Sequence, residues 1–235
     1  LNNFSTALER YNTAISLFES AETTDQIGRT LLAKVGVLFY LSRFDELFDC
    51  ARQARTLFEE SADEANLARL DVNQGNANQR LDRYREALEC YEWAFPVLDR
   101  LGDREGLLAS SLNAGVVLTM LHEFDRADQR YDRALELAVE LDMSSIERQS
   151  RYNRTYLDFL KGNSGRALRG MFALKEEFER AGDDHHICLC QLDEAEILLE
   201  IGDLPEAVRS AREARTLGRK LGLNYQVGKS LLFEA

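Results

Sequence analysis

The stretch "DDHHICLC", Asp183 to Cys190, gathers two of the chain's three histidines and two of its four cysteines. These residue types hold zinc, or serve as nucleophile and base. His186 and Cys190, four apart, would share one face of a helix and could touch one ion. Two ligands fall short of the four that a structural zinc takes, or the three plus water of a catalytic one. A thiol nucleophile needs a histidine in hydrogen-bond reach, a third group to orient it and donors for an oxyanion. His185 and Cys188 stand a turn apart on one element, and no glycine-rich strand-to-helix turn accompanies them. Cys188 and Cys190 are too close together for a disulfide framework, and Cys50 and Cys90 lie far apart in sequence. The expectation is reduced thiols, no metal, no cofactor and no catalytic residue in this segment.

The 40 residues between Cys50 and Cys90 are the period of the whole chain. Phe4, Phe44, Tyr84, Phe124, Ser164 and Leu204 follow it without insertion or deletion. Three residues on come Ala7, Leu47, Ala87, Ala127, Ala167 and Ala207, and ten on come Ala14, Ala54, Ala94, Ala134, Leu174 and Ala214. Tyr11, Ala51, Tyr91, Tyr131, Met171 and Ala211 sit between them. Offsets of 3, 7 and 10 trace one helical face, and its small residues let a neighbouring helix approach closely. A preceding helix is marked at the same period by Leu32, Val72, Leu112, Tyr152, Leu192 and Leu232. Between units, Gly102-Asp103 and Gly182-Asp183 supply a glycine to end one helix and an aspartate to cap the next. The unit is a helical hairpin. One repeat region is expected over 1–235: half a hairpin over about 1–22, five hairpins over about 24–221 and half a hairpin over about 223–235. "DDHHICLC" then opens the first helix of the fifth hairpin, capped by Asp183 or Asp184.

Composition agrees with an all-α chain. There are two prolines in 235 residues, and 41 acidic against 29 basic side chains give a net charge of −12. That sign repels phosphate backbones, so nucleic acid is not an expected partner. Apolar runs such as Val35 to Leu41 are too short to cross a bilayer, and no charged-then-apolar leader opens the chain. A soluble, cytoplasmic protein away from membranes is expected. Because the chain starts at Leu1 and stops within an apolar helical pattern in "GKSLLFEA", both ends read as cut from something longer.

"YREALECYEWAF" and "FDRADQRYDRAL", with small, aromatic and small residues in turn, resemble the second helix of the tetratricopeptide repeat. The polar-glycine pairs in "NQGNANQRL" and "NAGVVLTML" resemble its first helix. The resemblance covers essentially the whole chain and implies stacked antiparallel hairpins in a right-handed superhelix, an α-solenoid. A 40-residue unit exceeds the usual 34 by roughly six residues, or about 9 Å of helix. More narrowly, "YNRTYLDFLKGNSGRAL" and "CQLDEAEILLEIGDLPEAVRSAREA" resemble the repeat arrays that precede the caspase-like domain of bacterial CHAT proteases. That resemblance implies a regulatory or sensor region beside a separate protease domain. The sensor arm of a large transcription activator is an alternative, as is a scaffold that self-associates end to end through uncapped termini.

Arrays of this type bind partners on the surface lined by first helices. That face reads Arg69, Asn73, Asn76 and Arg80 in the second hairpin, then Ala109, Asn113, Val116 and Met120. Gln149, Asn153, Tyr156 and Leu160 follow, and then Leu189, Asp193, Glu196 and Glu200. Asn73, Asn113 and Asn153 form a row that Asp193 continues. An asparagine amide offers a donor and an acceptor, as a peptide backbone requires, although each could equally bond a neighbouring hairpin. The resemblance implies a peptide clamp at the three asparagines. The expected peptide-binding set is Arg69, Asn73, Asn76, Arg80, Asn113, Asn153, Tyr156 and Asp193. The polar run "RLDVNQGNANQRL" is expected to face a wet groove, since buried polar groups without partners are costly. Charge grades from Arg29, Arg69 and Arg80 to Asp193, Glu196 and Glu200, which could orient a peptide. Trp93, whose repeat equivalents are Thr13, Gln53, Arg133, Ala173 and Glu213, is expected to point outward, with Pro96 marking a kink and a second contact patch.

Overall fold

The computed structural model describes residues 2–235, with side chains from Asn3 onward; Leu1, within the first half hairpin, lies outside them. Twelve helices follow one another among the described residues: α1 (Asn2–Ser20), α2 (Thr24–Tyr40), α3 (Phe44–Glu60), α4 (Glu64–Arg80), α5 (Tyr84–Leu101), α6 (Arg104–Met120), α7 (Phe124–Glu140), α8 (Ser144–Leu160), α9 (Ser164–Ala181), α10 (Asp184–Ile201), α11 (Leu204–Leu221) and α12 (Asn224–Glu234). The chain divides into two compact units, residues 1–123 and 124–235, so the division falls between the two helices of the third expected hairpin.

The 40-residue period contains a 20-residue one that the sequence pattern did not show. From α2 onward each helix starts 20 residues after the last, and a residue in the left-handed region recurs at the same interval. Glu22, Ser42, Ala62, Asp82, His122 and Asp142 take positive φ, as do Gly102, Gly162, Gly182, Gly202 and Gly222. At each turn the next N–H reaches back five residues, from Thr23 N–H to the Phe18 carbonyl (3.0 Å) through to Leu223 N–H to the Gly218 carbonyl (2.8 Å). This closure satisfies carbonyls that a helix end leaves open. The Asp63, Asp103, Asp183 and Asp203 carboxylates then cap the following helices. Within each unit a three-residue turn thus reverses the chain each time, and successive helices there pack antiparallel.

The small residues of the period lie where helices meet. Ala51, Ala54, Ala87, Ala94, Ala127, Ala134, Ala167, Ala207, Ala211 and Ala214 are all fully buried. In the first unit Ala51 and Ala54 pack in one core with Leu31, Val35, Leu38, Leu70 and Phe58. In the second, the core gathers Met171, Leu174, Phe178, Ile187 and Ile197. Burying a ring such as Phe58 or Phe178 contributes about 1.5–3 kcal/mol. The glycine of "NQGN" has a steric reason: a β-carbon on Gly75 would lie 2.6 Å from Cε1 of Tyr91. In each unit the first helices approach one another, α2 to α4 and α4 to α6, then α8 to α10 and α10 to α12. The second helices do not, so the first helices form the closely packed side of each unit. No helix among the described residues is long and apolar enough to cross a membrane.

Candidate functional site

On α4, Arg69 lies exposed and donates from Nε (3.1 Å) and Nη2 (3.0 Å) to Asp103, the carboxylate that caps α6. Asn73, one turn on, is half-buried and makes no hydrogen bond with a described residue. Asn76 is committed to packing: its Oδ1 accepts from Tyr91 Oη (2.8 Å) and from Asn113 Nδ2 on α6 (2.8 Å). Arg80 is exposed. Asn113 therefore tethers one first helix to the next through its nitrogen, as the structural alternative for the row required, while Asn73 does not.

In the second unit, Asn153 on α8 repeats the condition of Asn73, half-buried and without a bonded described residue. Tyr156 Oη leans toward Glu196 Oε2 at 3.4 Å, and the same oxygen accepts from Lys229 Nζ at 2.8 Å. Asp193 sits inside the stack, 6% exposed, and accepts from Tyr152 Oη at 2.5 Å. Burial is the largest influence on Asp193, raising its carboxyl pKa to about 7 against the lowering effects of Tyr152 and Lys229. Burial beside that carboxylate also pushes the Tyr152 phenol well above its ordinary value. The sequence pattern used Tyr152 only as a marker of the first helix and passed over Lys229. The period could have found Lys229, which stands 160 residues beyond Arg69 in the same register.

The polar run of α4 departs from expectation, because most of it is bonded within the fold. Asn66 Nδ2 donates to Asp63 (2.6 Å), Asn78 reaches Cys90 Sγ (3.9 Å), and Gln79 accepts from Tyr91 (3.1 Å). Gln74 accepts from Arg55 (2.9 Å). The charge grading is also muted locally: Arg29 pairs with Asp25, Arg69 with Asp103 and Glu196 with Lys229. What the first helices hold open is narrower than the expected set, namely the Asn73 and Asn153 amides and the Arg80 guanidinium.

"DDHHICLC" begins α10. Asp183 is the cap, accepting from His186 N–H (3.1 Å) and meeting His186 Nδ1 (2.7 Å). The His186 ring stacks on Phe178 at 4.7 Å between centroids. Cys188 and Cys190 are buried and free, and burial pushes both thiols up. Cys50 and Cys90 are raised to about 11 by the same cause. Such thiols stay protonated near neutral pH and are poor nucleophiles. Among the described residues, no three His, Cys, Asp or Glu converge where an ion could sit.

Residues 66–140 match the family model described as tetratricopeptide repeat. No curated protein matches the sequence. Among solved structures the fold is similar to BtubC from P. vanneervenii, with 16% identity, a TM-score of 0.74 and coverage of 93% of this chain and 92% of that one. It is similar to a Rap protein solved in complex with competence and sporulation factor, at 14% identity and TM-score 0.74, covering 97% of this chain and 68% of that one. A signal transduction ATPase with numerous domains from Pyrococcus horikoshii, described as having a tetratricopeptide repeat sensor, matches at 14% identity and TM-score 0.72. There the match covers 95% of this chain and 39% of that protein. At these identities the likeness is one of fold.

Proposed function

With a tetratricopeptide-repeat fold as premise, we propose that this chain is a non-catalytic scaffold that binds a peptide or protein segment on its first helices. The observation that carries the reading is a half-buried amide on a first helix of each unit, Asn73 in one and Asn153 in the other, each with no bonded partner among the described residues. Each amide offers the donor and acceptor that a peptide backbone needs. Arg69, Arg80, Asn113 and Tyr156 flank them, while Asn76 and Asp193 hold the surface in shape from within. A Rap protein of similar fold with a bound factor supports the reading.

The test is a peptide selected from a random library on the intact chain, with affinity read by fluorescence anisotropy. Asn73→Ala and Asn153→Ala together should weaken binding about tenfold or more, since each hydrogen bond contributes about 0.5–1.5 kcal/mol. Circular dichroism should show unchanged helicity. Asn113→Ala should lower thermal stability, because it frees Asn76 from its tether. Full-strength binding by the Asn73/Asn153 double variant would remove the reading.

We place the scaffold in the regulatory or sensor region of a larger bacterial protein working in the cytoplasm, where its four free thiols suit a reducing compartment. The match to a sensor within a much longer ATPase supports the sensor role. The "CQLDEAEILLEIGDLPEAVRSAREA" resemblance favours a CHAT-type protease as the parent. Peptide mapping of the intact parent protein decides: a downstream His and Cys dyad supports the protease, and a nucleotide- or DNA-binding segment supports a transcription activator. Self-association is a separate reading, carried by Tyr225 and Leu232 of α12, 75% and 76% exposed. Light scattering that stays constant on dilution at a monomer's mass would dismiss it.

A further inference from the structure

The side of α4 turned about 200° from Asn73 and Asn76 forms, with α3 and α5, a crevice of about 480 Å³. Within it Arg55 Nη2 donates to the Asp71 carboxylate and to Gln74 Oε1, so the inner acid already has its cation. Trp93 lines the same crevice and is 75% exposed. Nothing in the repeat requires an indole there, since Ala173 and Thr13 occupy the equivalent position. Glu89, exposed and without an ion pair to a described residue, lies on the same helix. Glu64 completes the lining, and its pair with Arg100 is a surface one, 58% and 60% exposed. Three carboxylates thus meet two guanidiniums, Arg55 within the crevice and Arg100 at its surface, which leaves Glu89 without an ion pair to a described residue beside an indole open to water.

We propose that this crevice binds an arginine or lysine side chain on a basic segment of a partner protein, at a site separate from the Asn73 surface. An indole face attracts a cation through its quadrupole, and Arg is its commonest protein partner. Glu89 supplies the opposite charge, and Glu64, shared with Arg100 at the surface, adds to it. An apolar side chain would desolvate those carboxylates without compensation, and an acidic one would be repelled. Trp and Arg are also the residues that most often dominate protein interfaces.

Trp93 is the chain's one tryptophan, so its fluorescence reports on the crevice alone. Titrating the full chain with a fluorescein-labelled tri-arginine peptide, followed by anisotropy, and with the unlabelled peptide, followed by Trp93 emission, should give matching saturable curves. Trp93→Ala should weaken binding about tenfold and Glu89→Gln about threefold, while Glu19→Gln on α1 has no effect. The exposure of Trp93 keeps its variant folded. Asn73→Ala should leave tri-arginine binding unchanged, which separates this site from the first-helix surface. Three outcomes would overturn the assignment: Trp93→Ala binding within about twofold of the parent, Glu19→Gln weakening binding as much as Glu89→Gln, or a tri-serine peptide binding as well as tri-arginine.

Discussion

Asp193 shows how one buried side chain links fold to pH. Its ordinary pKa is 3.8, and in the folded chain burial raises it to about 7, with Tyr152 and Lys229 holding it down and Glu196 and Glu194 adding to the rise. Between about pH 4 and pH 7 the folded chain therefore keeps a proton that the unfolded chain has released. Stability falls as pH rises through that window, and the loss is complete above it. Asp193→Asn keeps an acceptor for the Tyr152 hydroxyl and removes the titration. Urea unfolding should give the variant a higher midpoint than the parent at about pH 8, with the two converging near pH 4. An advantage that is equal at both pH values would show that the buried carboxyl keeps its ordinary ionisation.

The helix-to-helix turn is the element on which the repeat depends. Ala62 holds φ 53° and Gly102 holds φ 69° at equivalent points of successive hairpins. A β-carbon in this region costs roughly 1–2 kcal/mol, partly offset by the freedom a glycine loses on folding. Ala62→Gly should raise the melting temperature by about 2–4 °C per kcal/mol gained, and Gly102→Ala should lower it by a similar amount. Differential scanning calorimetry checks both, and a Gly102→Ala variant that melts with the parent would show that the turn tolerates side chains without strain. A second device recurs between hairpins. Arg55, Lys175 and Arg215 share one repeat position, and each reaches the following first helix, at Asp71, Glu194 and Glu234. The Lys175 to Glu194 pair spans 2.7 Å with Glu194 fully buried, so loss of the lysine would strand a carboxylate in the stack.

For the whole molecule the governing quantity is the net charge of −12. A field of that sign draws basic segments toward the chain and turns acidic ones away. Raising salt from about 0.1 M to about 1 M shortens the screening length from about 10 Å to about 3 Å. Tri-arginine affinity should fall steeply over that range, whereas an uncharged peptide selected for the first helices should bind almost unchanged. Anisotropy titrations at the two salt concentrations measure both. A tri-arginine affinity indifferent to salt would mean that charge has no part in the crevice.

The period of 40 was sufficient by itself for the helical hairpins, their small buried residues and the Gly-Asp punctuation, because each is a local demand on backbone conformation or on the space between adjacent helices. It also dissolved "DDHHICLC" into a capped helix start, with the choice of Asp183 over Asp184 as cap made by the structure. The finer period of 20 stayed hidden because Glu22, Ser42, Ala62, Asp82, His122 and Asp142 take a conformation usually marked by glycine. Which polar side chains stay open was a decision of tertiary structure. Asn73, Asn113 and Asn153 are identical in the sequence pattern, yet among the described residues only Asn113 finds an acceptor, because Tyr91 and the α4 to α6 approach bring Asn76 to it. Asp193 continues their row in sequence but is buried and bonded to Tyr152, 41 residues earlier. Periodicity assigns a residue to a face of its own helix. Whether that face meets water or a neighbour's side chain depends on how far side chains on separate helices reach, and that is settled only when the helices stack.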